Sequence, residues 1–191
     1  MKRILTIDFD IVMKDSVFMY NNYSDMKWEE RFKKAPMLTM LPMDGKIFYS
    51  LTKYLIYLFP KVPKEKIHFI YDHHQVISFL SQHERYNIVN IDHHHDWYEG
   101  INLDCGNWVK YIFETGGLYS YTWIKNTTSI LPDNTHFHCL NIEDCDLSSY
   151  SEFDEIFLVL SPDFVPLNYH HMFFIWMDIA SLIHQTKYVI E

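Results

Sequence analysis

The chain has 191 residues, of which 48% are hydrophobic and 17% aromatic, so we expect one globular domain with a full core and exclude intrinsic disorder. A net charge of −9 argues against nucleic acid and anionic membranes as partners. It suits a basic ligand or peptide, although solubility alone explains it equally well. The five glycines form no phosphate-binding loop, which argues against nucleotide binding of that kind.

The cysteines and the N-terminus bear on the compartment. Cys105, Cys139 and Cys145 form no C-x-x-C pair, which argues against a disulfide framework and a thiolate zinc site. The first residues enter a charged strand and lack the apolar core of a signal peptide, and no apolar run reaches the length of a membrane span. We therefore expect a soluble cytoplasmic protein with a single domain over residues 1–191, whose oligomeric state the sequence leaves open.

The first predicted strand covers residues 3–7 and is followed directly by Asp8-Phe9-Asp10. Side chains of an extended segment alternate, so both carboxylates are expected on the same side. Two carboxylates at a strand end are suited to binding a metal ion, whereas the simpler alternative is a turn or a helix cap. The irregular segment 11–44 that follows, with a short helix over 28–34, forms either a lid over the site or a plain connection.

The next elements are a helix and a second strand with its own polar end. Apolar residues at helical spacing predict a core-packing helix over 46–59, with Asp44 as its N-cap. Residues 66–71 predict a strand that ends in Asp72-His73-His74-Gln75, and a helix is expected over 76–83. The imidazoles at this strand end are candidates for a functional site, although His74 also suits a surface position.

The most informative stretch follows the third strand, at Asp92-His93-His94-His95-Asp96. If the chain stays extended after the buried run Ile88-Val89, then Asp92, His94 and Asp96 point the same way. Carboxylate and imidazole without thiolate suit a divalent ion such as Mn²⁺, Fe²⁺ or Zn²⁺. The alternative is a polar loop that happens to be rich in histidine.

The rest of the chain continues the alternation of helices and strands. We expect a helix within 105–113 that Gly116-Gly117 ends, strands over 118–124, 136–140 and 155–160, and a last core helix over 169–184. The acidic loop 143–146 is expected at the surface. Another acid, Asp163, follows the most apolar strand. The histidines of the last helix are expected at the surface or in the core rather than as ligands: His170, His171 and His184.

Together these elements predict an α/β fold of three layers, with a mostly parallel sheet between two layers of helices. Ligands of such sheets collect beyond the carboxyl ends of the strands. Four predicted strands end near Asp or His, at Asp8, His73, Asp92 and Asp163. The fold and the polar clusters therefore point to one edge of the sheet.

The polar clusters resemble motifs of the arginase and ureohydrolase superfamily, which binds two manganese ions at the carboxyl edge of an α/β sheet. Asp92-His93-His94-His95-Asp96 is similar to the family's D-A-H-x-D segment. Tyr71-Asp72-His73-His74 is similar to its G-G-D-H-S segment, and Leu5-Thr6-Ile7-Asp8-Phe9-Asp10 to its S-F-D-V-D segment. The resemblance implies an arginase-like fold that holds two Mn²⁺, or other divalent ions, through Asp8, Asp10, His73, Asp92, His94 and Asp96.

Two weaker matches concern the substrate. Asp163-Phe164-Val165-Pro166 resembles the family's E-V-N-P, whose acid binds the guanidinium, so the resemblance implies that Asp163 orients the substrate. Gly106-Asn107 resembles a G-N in the loop that contacts the amino-acid end of free arginine, which implies a substrate-binding role for Asn107. The family's histidine after that pair is absent here, where Val109 stands instead, so His74 or His95 is the candidate proton shuttle. Asp10 or a nearby histidine would pass a proton to the leaving amine.

The order of the motifs differs from the usual one, because the D-x-D strand precedes the D-x-H-x-D strand. The chain therefore resembles small family members with a permuted strand order, the peptide arginases, which convert arginine residues of a ribosomally made precursor peptide to ornithine and urea. Open alternatives are a ureohydrolase of free arginine or agmatine, another metal amidohydrolase, and a non-catalytic protein that uses the metal site to bind a peptide.

Overall fold

The computed structural model describes residues 1–14, 42–100, 102–132 and 137–190. The helix expected over 28–34, and the question whether segment 11–44 forms a lid, therefore lie almost wholly outside the described residues. Among the described residues, no helix is both long enough and apolar enough to cross a bilayer.

The described elements are six strands, three α-helices and six short 3₁₀ helices. The strands are β1 (Lys2–Asp8), β2 (Ile67–Ile70), β3 (Tyr86–Ile91), β4 (Leu118–Lys125), β5 (His138–Asn141) and β6 (Glu155–Val159). The α-helices are α1 (Gly45–Leu58), α2 (Trp108–Glu114) and α3 (His170–Ile190). Short 3₁₀ helices cover Phe9–Val12, Phe59–Lys61, Lys64–Lys66, His73–Phe79, Leu147–Ser149 and Leu167–Tyr169.

The six described strands form one sheet in the order β2-β6-β1-β3-β4-β5. Every neighbouring pair in that sheet is parallel, so the prediction of a mostly parallel sheet is confirmed. The first strand lies near the centre, paired on one side with β3 and on the other with β6. The carboxyl ends of the strands that carry the polar clusters therefore lie together at one edge.

Helices cover both faces of the sheet, as the three-layer prediction requires. Alternate residues of the central strands point to opposite faces: Leu5 and Ile7 of β1 pack in the core with α1 and α3, whereas Ile4 packs in the core with α2. A hydrogen bond of 2.9 Å from the Trp176 indole to the Thr52 hydroxyl joins α3 to α1. The two apolar layers exclude water from the sheet below the polar edge.

The sequence explains where α1 begins and what it packs against. The Asp44 carboxylate accepts hydrogen bonds from the amides of Lys46 at 2.9 Å and Ile47 at 3.1 Å, so Asp44 is the N-cap that the sequence predicts. The side chains that α1 buries recur at helical spacing, which confirms the predicted core-packing helix: Ile47, Leu51, Tyr54, Leu55 and Leu58.

One predicted element differs from the structure in type and position, and another differs in length. The segment after β2 forms a 3₁₀ helix over His73–Phe79 instead of a helix over 76–83, because the Asp72 and Gln75 side chains cap the chain at that earlier point. The last helix begins where expected and continues to Ile190. Of its histidines, His170 and His184 are buried and His171 is exposed.

Candidate metal centre

The first part of the site is the end of β1. Asp8 closes the strand, and the chain then turns into a 3₁₀ helix that begins at Phe9. The Asp8 carboxylate accepts a hydrogen bond of 3.1 Å from the amide of Asp10, so it caps this helix. Both carboxyl side chains are buried, at 3% and 0% exposure. The sequence left open whether these carboxylates form a helix cap or a metal site. Asp8 does cap the helix, and both carboxylates also lie in the cluster described below.

The second part follows β3, and here the expected geometry is wrong. The strand ends at Ile91, and the segment from Asp92 onward bends instead of staying extended. Asp96 has a φ of 53°, in the left-handed region. The His94 amide donates to the Asp92 carboxylate at 2.8 Å, which tightens the bend. The side chains of Asp92, His94 and Asp96 therefore converge because the chain turns, and not because they alternate along a strand.

The third part is His73, which follows β2. Gln75 accepts hydrogen bonds from the amides of Tyr71 and Asp72 at 3.0 and 3.2 Å, and this capping arrangement fixes the start of the 3₁₀ helix. His73 is the first residue of that helix, and its ring is 1% exposed and lies 4.7 Å from the ring of Trp108. The imidazole is therefore held in place from both the chain and the neighbouring helix α2.

The side chains from the three strand ends form one cluster. His73 Nδ1 lies 3.0 Å from Asp92 Oδ2, 3.0 Å from Asp96 Oδ2 and 3.3 Å from Asp8 Oδ2. On the other side of Asp92, His94 Nδ1 lies 3.9 Å from Asp92 Oδ1 and 2.9 Å from Asp10 Oδ2.

Two groups in this cluster have ligand atoms close enough together to hold a metal ion. One consists of Asp8, His73 and Asp92, and the other consists of Asp10, Asp92 and His94. Asp92 belongs to both groups and presents a different oxygen to each imidazole. The structure thus brings together all six residues that the sequence predicted as ligands, with Asp96 beside the first group.

Burial and mutual repulsion disfavour the ionised form of three of the four carboxylates in this cluster. Burial raises the pKa of Asp8, Asp10 and Asp96 above the ordinary value, and the charge of Asp92 adds to the rise for all three. Burial would also raise the pKa of Asp92, but hydrogen bonding and charge from His73 outweigh it and lower that pKa. Such a cluster is stabilised by positive charge.

The imidazoles supply positive charge when no ion does. Burial lowers the pKa of His73, but the Asp96 charge and the hydrogen bonds of neighbouring carboxylates raise it well above the ordinary value. Burial likewise opposes protonation of His94, yet the Asp10 carboxylate raises its pKa to about 9. Beside them, His95 has a pKa lowered to about 4 by burial and by His94, so its ring is neutral. The protons on His73 and His94 occupy positions where a cation would be stabilised.

The residues fit a divalent ion by their chemistry and by their surroundings. Carboxylate oxygen and imidazole nitrogen are ligands for Mn²⁺, Fe²⁺ and Zn²⁺. Among the described residues, His73 Nε2 is buried without a hydrogen-bond partner, and Asp10 Oδ2 is buried with the His94 imidazole as its one ionic partner. Acceptors and donors of this kind at a buried site are expected where an ion or water completes the coordination. The cluster can therefore hold metal ions.

Further residues support the ligands, and the sequence analysis missed them. The Ser161 hydroxyl, just after β6, donates to Asp8 Oδ2, and the Trp108 indole donates to Asp96 Oδ2 at 2.5 Å. Asn90 donates to Asp92 Oδ2 at 3.2 Å, and Trp123 donates to the Asp92 carbonyl at 2.9 Å. Their sequence neighbourhoods carry no metal-site signal, since each contact depends on which strands lie side by side. Outer-shell donors of this kind orient metal ligands.

A cavity of about 200 Å³ opens onto the cluster. Asp8, Asp96 and His94 lie in its lining beside the hydroxyl-bearing Ser161 and the ring of Phe164. The remaining lining residues come from the loop between β3 and α2: Tyr98, Glu99, Asp104, Cys105 and Gly106. Among these described lining residues none is Lys or Arg, so the cavity is acidic.

Three residues predicted to act on the substrate lie outside the lining of this cavity. Asp163 follows β6 and is half-buried, whereas its neighbours Ser161 and Phe164 line the cavity. Asn107 is buried and holds its own loop, since its side chain accepts from the Asp104 amide at 2.9 Å and donates to the Asn102 carbonyl at 2.8 Å. The half-buried His74 is not among the lining residues either. Their predicted roles stay predictions.

Comparisons with protein-family models, with curated proteins and with solved structures gave no significant match. The interpretation of the site therefore depends on its own geometry and charge. What the geometry establishes is an α/β protein with a parallel sheet whose carboxyl edge holds a buried Asp and His cluster that can bind metal ions.

Proposed function

We propose that this protein is a binuclear-metal hydrolase that acts on the guanidinium of arginine residues in a precursor peptide, with ornithine and urea as products. The observation that carries the proposal is a cluster of four buried carboxylates with the buried His73 and the half-buried His94, which opens into an acidic cavity. The resemblance of its sequence motifs to those of ureohydrolases supports the same reaction.

Charge balance supports two divalent ions. With neutral imidazoles, the four carboxylates of Asp8, Asp10, Asp92 and Asp96 carry four negative charges at a site that is almost inaccessible to water. Two divalent cations supply four positive charges, and buried charge is tolerated when it is compensated in this way. Asp92 belongs to both groups of candidate ligands, so it would be a common ligand of the two ions. We propose Mn²⁺ as the ion, because the resemblance to ureohydrolases implies it.

The chemistry that divalent ions supply when bound is activation of water for attack on a carbon centre. The residues of the chain orient that reaction. The acidic lining favours a cationic side chain and brings its guanidinium towards His94 and Asp96. Asp10, buried beside His94, would accept and pass on a proton.

The absence of Lys and Arg from the described lining favours a peptide substrate over free arginine. The α-carboxylate of free arginine would enter an acidic cavity without a cationic partner among the described lining residues, and like charges repel. An arginine within a peptide carries no such carboxylate. Agmatine, which has none either, is the closest alternative substrate.

Mass spectrometry tests the proposal directly. The Mn²⁺-loaded protein is incubated with synthetic peptides that contain an internal arginine, with matched peptides that contain lysine, with free arginine and with agmatine. We expect ornithine in the arginine peptides only, and Asp92→Asn is expected to abolish it. Conversion of free arginine or agmatine would assign an ordinary ureohydrolase instead.

A second candidate is a protein that binds metal and peptide without turnover. It is favoured by the positions of Asp163, Asn107 and His74, the residues predicted to orient the substrate and move the proton, which do not line the cavity. Two bound metals and measurable peptide affinity, with no product from any guanidine compound, would establish this function and overturn the hydrolase.

A further inference from the structure

Asn90 is a fully buried polar residue in the centre of the sheet. It lies in β3, level with Thr6 of β1 and Trp123 of β4. Its amide nitrogen lies 3.0 Å from the Tyr121 hydroxyl, and Tyr121 packs in the core on the α2 side of the sheet. A buried amide at this position needs partners for its two N–H groups and its oxygen.

The neighbouring groups fix which way the amide points. The Tyr121 hydroxyl donates to the His95 carbonyl at 3.0 Å, so its oxygen accepts from Asn90. The same amide nitrogen faces Asp92 Oδ2 at 3.2 Å and Asp96 Oδ2 at 3.5 Å. The reversed amide would turn its oxygen towards two carboxylates, which is repulsive.

The amide oxygen has a separate partner on the next strand. The Thr6 hydroxyl lies in hydrogen-bond contact with Asn90 Oδ1, so β1 holds one end of the amide while β4, through Tyr121, holds the other. Asn90 is thus fixed from both neighbouring strands. The N–H group that remains after the bond to Tyr121 points at the Asp92 carboxylate.

Apart from the contacts with the two imidazole rings, each oxygen of Asp92 receives one hydrogen bond from the described residues. Asn90 donates to Oδ2, the oxygen that faces His73, and the His94 amide donates to Oδ1, the oxygen that faces the His94 ring. A carboxylate oxygen has two lone pairs, so one on each oxygen is left for a cation. The two hydrogen bonds prevent the Asp92 carboxylate from rotating away from the position in which it belongs to both groups of candidate ligands.

We propose that Asn90 is a positioning residue of the metal centre. It holds the Asp92 carboxylate so that one oxygen faces each of the two groups of candidate ligands. This inference rests on the proposed metal-dependent function. It predicts a specific loss of metal affinity when the amide is removed, of about 10- to 100-fold as for other outer-shell partners of metal ligands.

Calorimetric titration of the full chain with Mn²⁺ alone tests the inference. Asn90→Leu keeps a similar side-chain volume and removes the donor, and we expect its dissociation constant for Mn²⁺ to rise about 10- to 100-fold. The matched control is Asn87→Leu, in the same strand but towards its amino end, where the side chain accepts from the Ser120 hydroxyl at 2.7 Å. The control is expected to bind Mn²⁺ like the wild type.

Tyr121→Phe keeps Asn90 but frees its second N–H group, and we expect a smaller loss of affinity in the same direction. This variant decides the question if Asn90→Leu does not fold. A purely structural role would lower the thermal midpoint in EDTA and leave Mn²⁺ affinity of the folded protein unchanged, which would overturn the inference. Failure of the wild type to bind Mn²⁺ would instead overturn the proposed function and, with it, this inference.

Discussion

Asp92 is the residue that both groups of candidate metal ligands share, and its two oxygens face different imidazoles. Asp92→Asn keeps the shape of the side chain and removes its charge. We expect Mn²⁺ affinity to fall by more than about 100-fold, since losing a shared ligand exceeds the usual effect of losing an outer-shell partner. Asp144→Asn, on the exposed loop after β5, is the matched control for titration calorimetry. Wild-type affinity in the Asp92 variant would remove this residue from the ligand set.

The protonation of His94 makes metal binding depend on pH. In the metal-free protein the pKa of His94 rises from 6.5 to about 9, since Asp10 outweighs the effect of burial. The protonated ring therefore stabilises the metal-free fold fully below pH 6.5, and this contribution is lost as the pH rises through about 9.

Because a ligating imidazole is neutral, Mn²⁺ must displace the His94 proton. We expect the apparent affinity to rise about tenfold per pH unit between 6.5 and 9 for one displaced proton. Calorimetry in two buffers of different ionisation enthalpy measures the protons released within this window. Binding that neither depends on pH nor releases protons would contradict the assignment of His94.

At the scale of single elements, the Asp44 cap is the clearest local determinant of stability. Its carboxylate satisfies two amides at the start of α1, which would otherwise lack partners. Asp44→Ala is expected to reduce the free energy of unfolding by about 1 kcal/mol. Asp44→Asn keeps an acceptor oxygen and is expected to change it much less. Urea titration of both variants checks this, and equal losses would show that the charge, not the cap, is what matters.

The strands were predictable because they are short apolar runs that end in polar clusters. Strand β1 was expected over 3–7 and extends over Lys2–Asp8. The bends after β3 were not predictable, because Asp96 adopts a left-handed backbone conformation and no glycine in this segment indicates one. The 3₁₀ helix after β2 was missed for a similar reason: its length depends on the bonds of Gln75 to Tyr71 and Asp72.

At the scale of the whole molecule, metal binding is expected to stabilise the fold. The metal-free protein holds four buried carboxylates close together in one site, and cations relieve their repulsion. An ion at a hundred times its dissociation constant stabilises the native state by about 2.7 kcal/mol. We expect Mn²⁺ to raise the thermal midpoint, EDTA to reverse the rise, and Asp92→Asn to show none. A midpoint that ignores Mn²⁺ would contradict a preformed metal centre.

The clustering of the candidate ligands was predictable from the sequence, whereas the residues that hold their side chains in place were not. Residue types and strand ends were sufficient to identify Asp8, His73 and Asp92 as neighbours. The roles of Ser161 and Asn90 required the strand order, because they act on carboxylates through the adjacent strand or the turn beyond it. Substrate roles rested on resemblance alone, and short matches at Asp163 and Asn107 do not determine which side chains face a cavity.

The strand order also has a consequence for how the protein folds. Among the described strands, β2 pairs with β6 alone, and β1 pairs with β6 across most of the length of the chain. Contacts between such distant segments raise the contact order and slow folding, since a long loop must close before they form. We therefore expect the edge of β1 that pairs with β6 to stay unpaired on the ribosome until β6 has emerged. His73 would then join Asp8 and Asp92 at that late step, so we expect the sheet and the Asp and His cluster to be completed together.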